Sequence, residues 1–336
     1  MGLKISELIP KKDIKFEDLA NKKIAVDTSQ MLYQFLSSIR QQDGTPLMDS
    51  HGRVTSHLVG IYSRVSNLIM KDIKLCFVFD GKPPSMKVEE QENRASRKRA
   101  AEEKMHRALE EEDMEAALKY SKQTSRLNWE MVKEAKELIS AMGLPVVQAP
   151  SEAEAQASYM CRKKDVWAVA SSDHDCLVYG APRLIMNLTL SSKRKLPNGS
   201  YVWIVPNLIE LDEVLDALQI NSEQLLVLAI LSGTDFNVGG VKGIGPKNAL
   251  KLVKDLKTAE KVFAKVKPDF DWKKVYKIFK EMPTTDDYSL KWGKVDESKI
   301  RKLLVDEHDF SEERVEKTLE KLRGEGKSQK GLGDFF

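Results

Sequence analysis

The sequence predicts an α/β fold, a mainly parallel, twisted sheet with helices on both faces. Three observations predict it. The strand candidates are apolar through their whole length, as strands covered on both faces are. They alternate with amphipathic helical segments. Several also meet an acidic residue at the carboxyl end, the edge where open α/β sheets hold their ligands.

The first strand lies in KKIAVDTS, from Lys22, and closes on Asp27. Met31 to Ile39 then reads as a helix with Leu32, Phe35, Leu36 and Ile39 on one face. Leu58 to Met70 is a second amphipathic segment, followed by the strand IKLCFVFDGKPP, which ends in Asp80 and is stopped by Gly81, Pro83 and Pro84. From Ser85 to about Lys104 the pattern changes: after Met86 and Val88 no large apolar residue occurs until Met105. A helix with no apolar face does not pack on a core. An exposed, mobile helical segment is expected there.

Trp129 to Met142 is amphipathic again, with Val132, Ala135, Leu138, Ile139 and Met142 in register and Gly143 as its stop. LPVVQ is a strand, PSEAEAQ opens a helix, and DVWAVASSDHDC is an apolar strand running to Asp173 and Asp175. Glu223 to Leu231 is an apolar helix that enters SGTDF with Asp235. No internal repeat is visible. From Gly324 the chain turns Gly-rich and aperiodic, GEGKSQKGLGDFF, the composition of a disordered tail.

Composition bounds the function. The 336 residues, 41% hydrophobic and 31% charged, suffice for one large or two modest domains with an ample core. A net charge of +3 is too small to identify a nucleic-acid partner; only its distribution can. Cys76, Cys161 and Cys176 form an odd set without CxxC and read as reduced core thiols of an intracellular protein. No run of about 18 apolar residues exists, so no membrane span is expected. MGLKIS fits a myristoylation pattern, but that pattern is common and a single acyl chain anchors only marginally.

Each strand-end acid taken alone reads more readily as an Asx-turn or a helix cap. Jointly, parallel strands would bring Asp27, Asp80, Asp173 and Asp175 to one edge, and LPVVQAP delivers Glu152 and Glu154 to the same edge. Crowded carboxylates must stay protonated or bind cations. Oxygen ligands without a His or Cys constellation suit Mg²⁺ or Mn²⁺ and disfavour zinc. His174 reads as structural, since strand alternation would turn it away from both neighbouring aspartates. Two hard cations in such a cage hydrolyse phosphodiesters, so the residues predict a metal-dependent phosphoryl hydrolase.

Ser151 and Glu154 also fit the S-x-x-E capping box, which needs no chemistry at all. Residues two apart on a helix point to different sides, so Glu152 and Glu154 must approach metals around the helix end. The expectation is that Ser151 caps while Glu154 leaves the box for the cage.

Two features point to nucleic acid. RASRKRA, Arg94 to Ala100, carries Arg97 and Lys98 on the exposed segment, although interleaved glutamates also fit a solvated charged helix. GGVKGIGPKNALKLV, Gly239 to Val253, is a glycine turn opening a Pro-started helix, whose free amides and dipole suit a phosphate. Gly243, Gly245, Lys242, Lys247 and Lys251 would form that site.

The run of AVDTS, FVFDGKPP, PSEAEAQ, SSDHD, GTDF and GGVKGIGPKNA, in this order and spacing, resembles the flap endonucleases over essentially the whole chain, and the archaeal type more than the eukaryotic. The resemblance implies structure-specific cutting of 5′ flaps in replication and repair, 5′ exonuclease activity and two Mg²⁺ ions. It implies metal roles for Asp27, Asp80, Glu152, Glu154, Asp173, Asp175 and Asp235, and scissile-phosphate contacts for Lys87 and Arg94. Tyr33 matches an aromatic that stacks a base, and Gly2 a residue beside the substrate. The exposed segment matches a helical arch, and the GIGP turn a helix-hairpin-helix-like module on duplex DNA with a K⁺ ion. QKGLGDFF has the spacing of sliding-clamp ligands, with Gln329, Leu332, Phe335 and Phe336 as anchors.

The implied organisation is an N-terminal nuclease region (1–98), an arch (85–128), an internal nuclease region with the GIGP turn (116–258), a C-terminal helical region (259–323) and the tail (324–336). The implied protein is monomeric alone and cytoplasmic in an archaeal-like cell, nuclear in a eukaryote. The competing readings are a sister 5′ exonuclease or four-way-junction resolvase, a carboxylate RNA nuclease, and a non-catalytic junction binder or clamp adaptor.

Overall fold

The computed structural model describes residues 5–323, apart from 42, 122, 190–192 and 196–199. The chain runs β1 (Lys12–Asp13), β2 (Lys23–Asp27), α1 (Thr28–Ser38), α2 (Ser56–Gly60), a π-helical turn (Ile61–Val65), α3 (Ser66–Ile69) and β3 (Lys74–Phe79). After a 3₁₀ turn (Ser85–Lys87) come α4 (Val88–Glu110), α5 (Met114–Ser121), α6 (Trp129–Ala141), β4 (Val146–Gln148), α7 (Ala153–Arg162), β5 (Ala168–Ala170) and α8 (Asp175–Val178). Next are β6 (Arg183–Met186), β7 (Lys193–Lys195), β8 (Tyr201–Trp203), β9 (Asn207–Glu210), α9 (Leu211–Leu218) and α10 (Ser222–Ser232). The remainder is helical: α11 (Pro246–Leu256), α12 (Ala259–Val266), α13 (Trp272–Lys280), α14 (Glu297–Arg301), a second π turn (Lys302–Asp306) and α15 (Glu312–Arg323).

The sheet order is β1-β9-β6-β5-β2-β3-β4. β6, β5, β2, β3 and β4 run parallel to one another, so the expected parallel sheet is present. The sequence did not signal the antiparallel pair β9 and β1 on the β6 side. β7 and β8 form a separate hairpin.

Strand residues alternate between two cores, as a period of two requires. Ala25, Cys76 and Val78 face a core shared with α7 to α13. Ile24, Val26, Leu75 and Phe77 face a second core shared with α1, the 56–69 helix, α6 and α14 to α15. All three cysteines are buried free thiols, as expected. α4 runs past the expected limit near Lys104 and packs against α5, burying Ala101 and Ala108. The exposed segment is therefore a helical pair that supplies its own small apolar seam.

After α13 the chain crosses under the sheet from one core to the other. Trp292 packs against both cores and its indole Nε1 donates to the Leu75 carbonyl at 2.8 Å. The Gly293 amide donates to the Gly143 carbonyl at 2.8 Å.

Candidate active site

Three adjacent central strands, β5, β2 and β3, end at one edge, and the acids collect there. Asp27 is the last residue of β2 and the N-cap of α1, where it accepts the Gln30 amide at 3.2 Å. Asp80 follows β3 directly and turns to α7, accepting the Ala153 amide at 2.7 Å. Gly81 permits this approach: a Cβ there would lie 2.2 Å from the Ala149 carbonyl oxygen.

The expected Ser151 cap is not what forms. α7 begins at Ala153 with Glu152 as its N-cap residue, and Ser151 donates its hydroxyl to the Lys82 carbonyl at 2.9 Å. Asp80 supplies the missing acceptor, because a strand-end carboxylate already held beside the helix start satisfies an orphan amide without bending the chain. Glu154 is thereby released from the box and lies among Asp173, Asp27 and Asp175.

β5 stops at Ala170, so neither acid is on the strand: Asp173 stands in the tight turn that follows and Asp175 is the first residue of α8. Ser171 Oγ accepts the Asp173 amide at 3.1 Å, and Asp173 Oδ1 accepts the Asp175 amide at 3.1 Å. His174 caps α8 with helical dihedrals, so strand alternation does not govern it; burial lowers its pKa below the ordinary value. Asp235 enters from the turn after α10.

Burial and mutual repulsion dominate the electrostatics. Burial, then Asp80, pushes Asp27 up to about 7. Burial, then Asp173, raises both Glu154 and Asp175 well above the carboxylate range. Burial also raises Glu152, against the pull of Lys87. For Asp235 the burial effect is outweighed by Lys87 and Arg94, which hold it below its usual value.

Two cations reach in from the 85–87 turn and the first half of α4. Lys87 pairs with Glu152 and lies 3.3 Å from Asp235 Oδ2. Arg94 donates to the same Asp235 oxygen at 2.7 Å. Burial alone would lower the Lys87 pKa; the surrounding acids overcome it and hold the ammonium above its ordinary value. Among the described residues, no group of three or more His, Cys, Asp or Glu closes into a preformed ion site, and these side-chain cations provide the neutralising charge.

A cavity of about 380 Å³ results, lined by Asp27, Asp80, Glu152, Glu154, Asp173 and Asp235 together with Lys87, Arg94, Arg97, Lys98 and Tyr33. Asp175 lies buried near Asp173 and Asp235, and its Oδ1 has no hydrogen-bond partner. Tyr33 is 39% exposed, with the Lys98 ammonium 4.8 Å from its ring centre.

The GIGP turn does not line this cavity. Gly243 has φ +79°, Gly245 caps α11, Pro246 occupies its first turn, and Lys242 and Lys247 are exposed. Gly2 and the tail anchors Gln329, Leu332, Phe335 and Phe336 lie outside the described residues. Sequence reasoning missed Gln30, whose carbonyl holds the 171–172 turn by accepting from Ser171 Oγ (2.8 Å) and the Ser172 amide. Cys176, expected only as a core thiol, is buried beside the acids with a strongly raised pKa, chiefly from burial.

The chain matches the family descriptions "XPG N-terminal domain" over residues 3–101 and "XPG I-region" over residues 143–235. It is 51% identical to Flap endonuclease 1 of Thermococcus onnurineus over 324 residues, covering 96% of this chain and 95% of the relative. It is 51% identical to Flap endonuclease 1 of Pyrococcus furiosus over 331 residues, covering 98% and 97%. The solved flap endonuclease-1 from Methanococcus jannaschii has a TM-score of 0.78 at 46% identity, covering 96% of this chain and 98% of that one. A catalytic core of Rad2 in complex with DNA substrate shares the fold, with a TM-score of 0.71 at 21% identity over 96% of this chain and 100% of that one.

Proposed function

The chain belongs to the flap endonuclease family and is a 5′-flap-cutting DNA hydrolase of replication and repair, and we propose that the acid cavity at the strand ends is where it cuts. The observation that carries this reading is the meeting of six carboxylates with Lys87 and Arg94 around one open cavity.

The family's divalent-metal dependence fits these residues. Their donor set is all carboxylate oxygen, the chemistry of hard cations. Asp175 Oδ1 is a buried acceptor with nothing donating to it. In this reading Asp27, Asp80, Glu152, Glu154, Asp173, Asp175 and Asp235 hold two Mg²⁺ ions, with Mn²⁺ as a substitute. When bound, such ions lower the pKa of a water from about 16 towards 7 and stabilise the leaving oxygen.

The chain's own groups do the rest. Lys87 and Arg94 present positive charge to the scissile phosphate, and until DNA and metal arrive they offset part of the cage's negative charge through Glu152 and Asp235. Tyr33 offers its exposed face to a base. Arg97 and Lys98 continue the positive wall along α4, and the α4–α5 pair forms the arch that a 5′ end passes. The exposed Gly243–Gly245 turn, with Lys242 and Lys247, holds the duplex backbone through amides, with K⁺ as its counter-ion. The tail anchors a sliding clamp through Gln329, Leu332, Phe335 and Phe336. The same centre acts as a 5′ exonuclease. The protein is monomeric alone and cytoplasmic in an archaeal-type cell.

A panel of end-labelled flap, nick, bubble and four-way DNA, with and without Mg²⁺, tests the reading. Mg²⁺-dependent cutting strongest on the 5′ flap is expected. Equal or greater cutting of the four-way substrate would favour the resolvase sister activity. Binding without any product would leave only an adaptor. Clamp binding is lost in Phe335→Ala/Phe336→Ala if the tail is the anchor.

A further inference from the structure

A second cavity of about 170 Å³ lies behind the first, between α1, the turn after β5 and the loop after β6. Asp27 and Gln30 line both cavities, so they form a shared wall. The volume would hold on the order of five waters, or one flat heteroaromatic ring. Its floor is apolar, built from Val26, Met31, Ile185 and Leu188. Its edge is neutral and polar, and Asp27 is the sole ionisable group in the lining. An anion or a second metal cluster finds no suitable partners there.

The amides at this edge are already oriented. Gln30 spends its carbonyl on Ser171 and Ser172. Gln34, one helical turn on, spends its carbonyl on the Thr189 hydroxyl at 2.9 Å. Both carbonyls are consumed, so each glutamine has its amino group left to offer. Gln34 Nε2 is buried and has no hydrogen-bond partner, an arrangement costly to keep without a ligand or water. Asn187 is fixed as well, at φ +64°, with its amino group on Asn207 Oδ1 at 3.2 Å.

An apolar slot with amide donors at its edge suits a neutral planar ring bearing acceptor atoms. Nucleobases present such edges, and glutamine or asparagine amides read them. Enzymes working on a strand also draw bases out of the stack into pockets beside their reacting centre. We propose that this cavity receives one unpaired nucleobase next to the cut phosphate, held through its acceptor edge by Gln30 and Gln34. The proposal rests on the nuclease reading of the neighbouring cavity.

The test uses the full chain and 5′-flap DNA carrying an abasic residue or 2-aminopurine at either nucleotide flanking the cut. Wild-type protein should lose roughly tenfold in single-turnover rate with the abasic residue at one of the two positions, the value of a lost pair of hydrogen bonds. Gln34→Leu should lose part of that factor on the intact flap and cut the abasic flap no more slowly than wild-type protein does, since the abasic flap already lacks the partner that the substitution removes. In EDTA, 2-aminopurine at that position should change its fluorescence on binding wild-type protein but not Gln34→Leu. The abasic comparison in wild-type protein stands even if Gln34→Leu fails to fold. Equal cutting of intact and abasic flaps, or additive losses, would overturn the base pocket and leave the nuclease reading intact. A wild-type protein that cuts no intact flap in Mg²⁺ overturns the nuclease reading itself, and the pocket with it.

Discussion

The Asp80 carboxylate accepts the Ala153 backbone amide at 2.7 Å, so an acid of the cage also caps the helix that carries Glu154. Charge and cap separate by substitution. Asp80→Asn keeps an acceptor oxygen, whereas Asp80→Ala removes it at a cost of about 1 kcal/mol, the usual value of a lost cap. Both variants should be inactive in flap cleavage, and Asp80→Ala should melt below Asp80→Asn. Equal melting temperatures would show that the hydrogen bond contributes nothing.

Metal-free stability should fall as pH rises. Asp27 titrates near 7 in the folded protein against an ordinary 3.8. The folded state therefore holds a proton through that interval that the unfolded chain has released. The associated stability is full below about 4 and lost on passing through about 7. Raised Glu154 and Asp175 act in the same direction. Melting in EDTA should thus drop between pH 5 and 8, and Mg²⁺ should restore more at pH 8 than at pH 5. A flat profile in EDTA would contradict the buried cage.

Lys87→Met removes an ammonium paired with Glu152 and 3.3 Å from Asp235. The cleavage rate under single-turnover conditions should fall on the order of 10²–10³, the range for losing one pre-placed donor to developing charge. Lys87→Arg should recover part of it. The metal-free protein should also lose stability, since Glu152 and Asp235 lose this partner. An unchanged rate would exclude Lys87 from the reaction.

Away from the cavity, His57 Nε2 and Glu134 Oε2 lie 3.0 Å apart, and His308 Nδ1 lies 3.0 Å from Asp49 Oδ2. Arg53 adds a bond to Asp49 at 2.7 Å. This cluster, with both histidines and the Asp49 side chain buried, joins the 49–57 segment, α6 and the C-terminal helices. His308→Ala should cost about 2 kcal/mol in denaturant unfolding, the penalty for stranding buried polar partners. Single-turnover cleavage at saturating enzyme should change little. A stability change near zero would mean that water replaces the ring.

Lys242→Ala and Lys247→Ala should weaken duplex binding about equally across sequences, each flattening the salt dependence by roughly one unit of slope. Unaltered slopes in titrations against NaCl would place the duplex elsewhere.

Much of the sheet was legible because its strands carry their own signal. IAVD and LCFVFD run apolar and then stop at an acid, and the structure places Asp27 and Asp80 at that edge. The acids after β5 were legible as neighbours but not in their geometry, since the strand ends at Ala170 and a turn and the start of α8 carry them. The cap of α7 was misread for a tertiary reason: Asp80, 73 positions upstream, accepts the Ala153 amide at the helix start, while Ser151, which the local S-x-x-E pattern makes the cap, donates to the Lys82 carbonyl. The His57, Glu134, His308 and Asp49 cluster left no trace in local periodicity, because its members meet across 77 and 259 positions.

The crossing at Trp292 and Gly293 has an effect at the far pole of the molecule. It brings α15 back to the amino ends of the strands, where Leu322 and Arg323 stand beside Asp72, Lys74 and Gly143. The acids occupy the carboxyl ends. Arg323, the last described residue, therefore stands on the side facing away from the acid cavity, and a chain of 13 residues, the number that follow it, spans at most about 45 Å. A partner gripping the chain beyond Arg323, as the proposed clamp anchor would, would hold the molecule from the side opposite the acids and leave the cavity open to a junction.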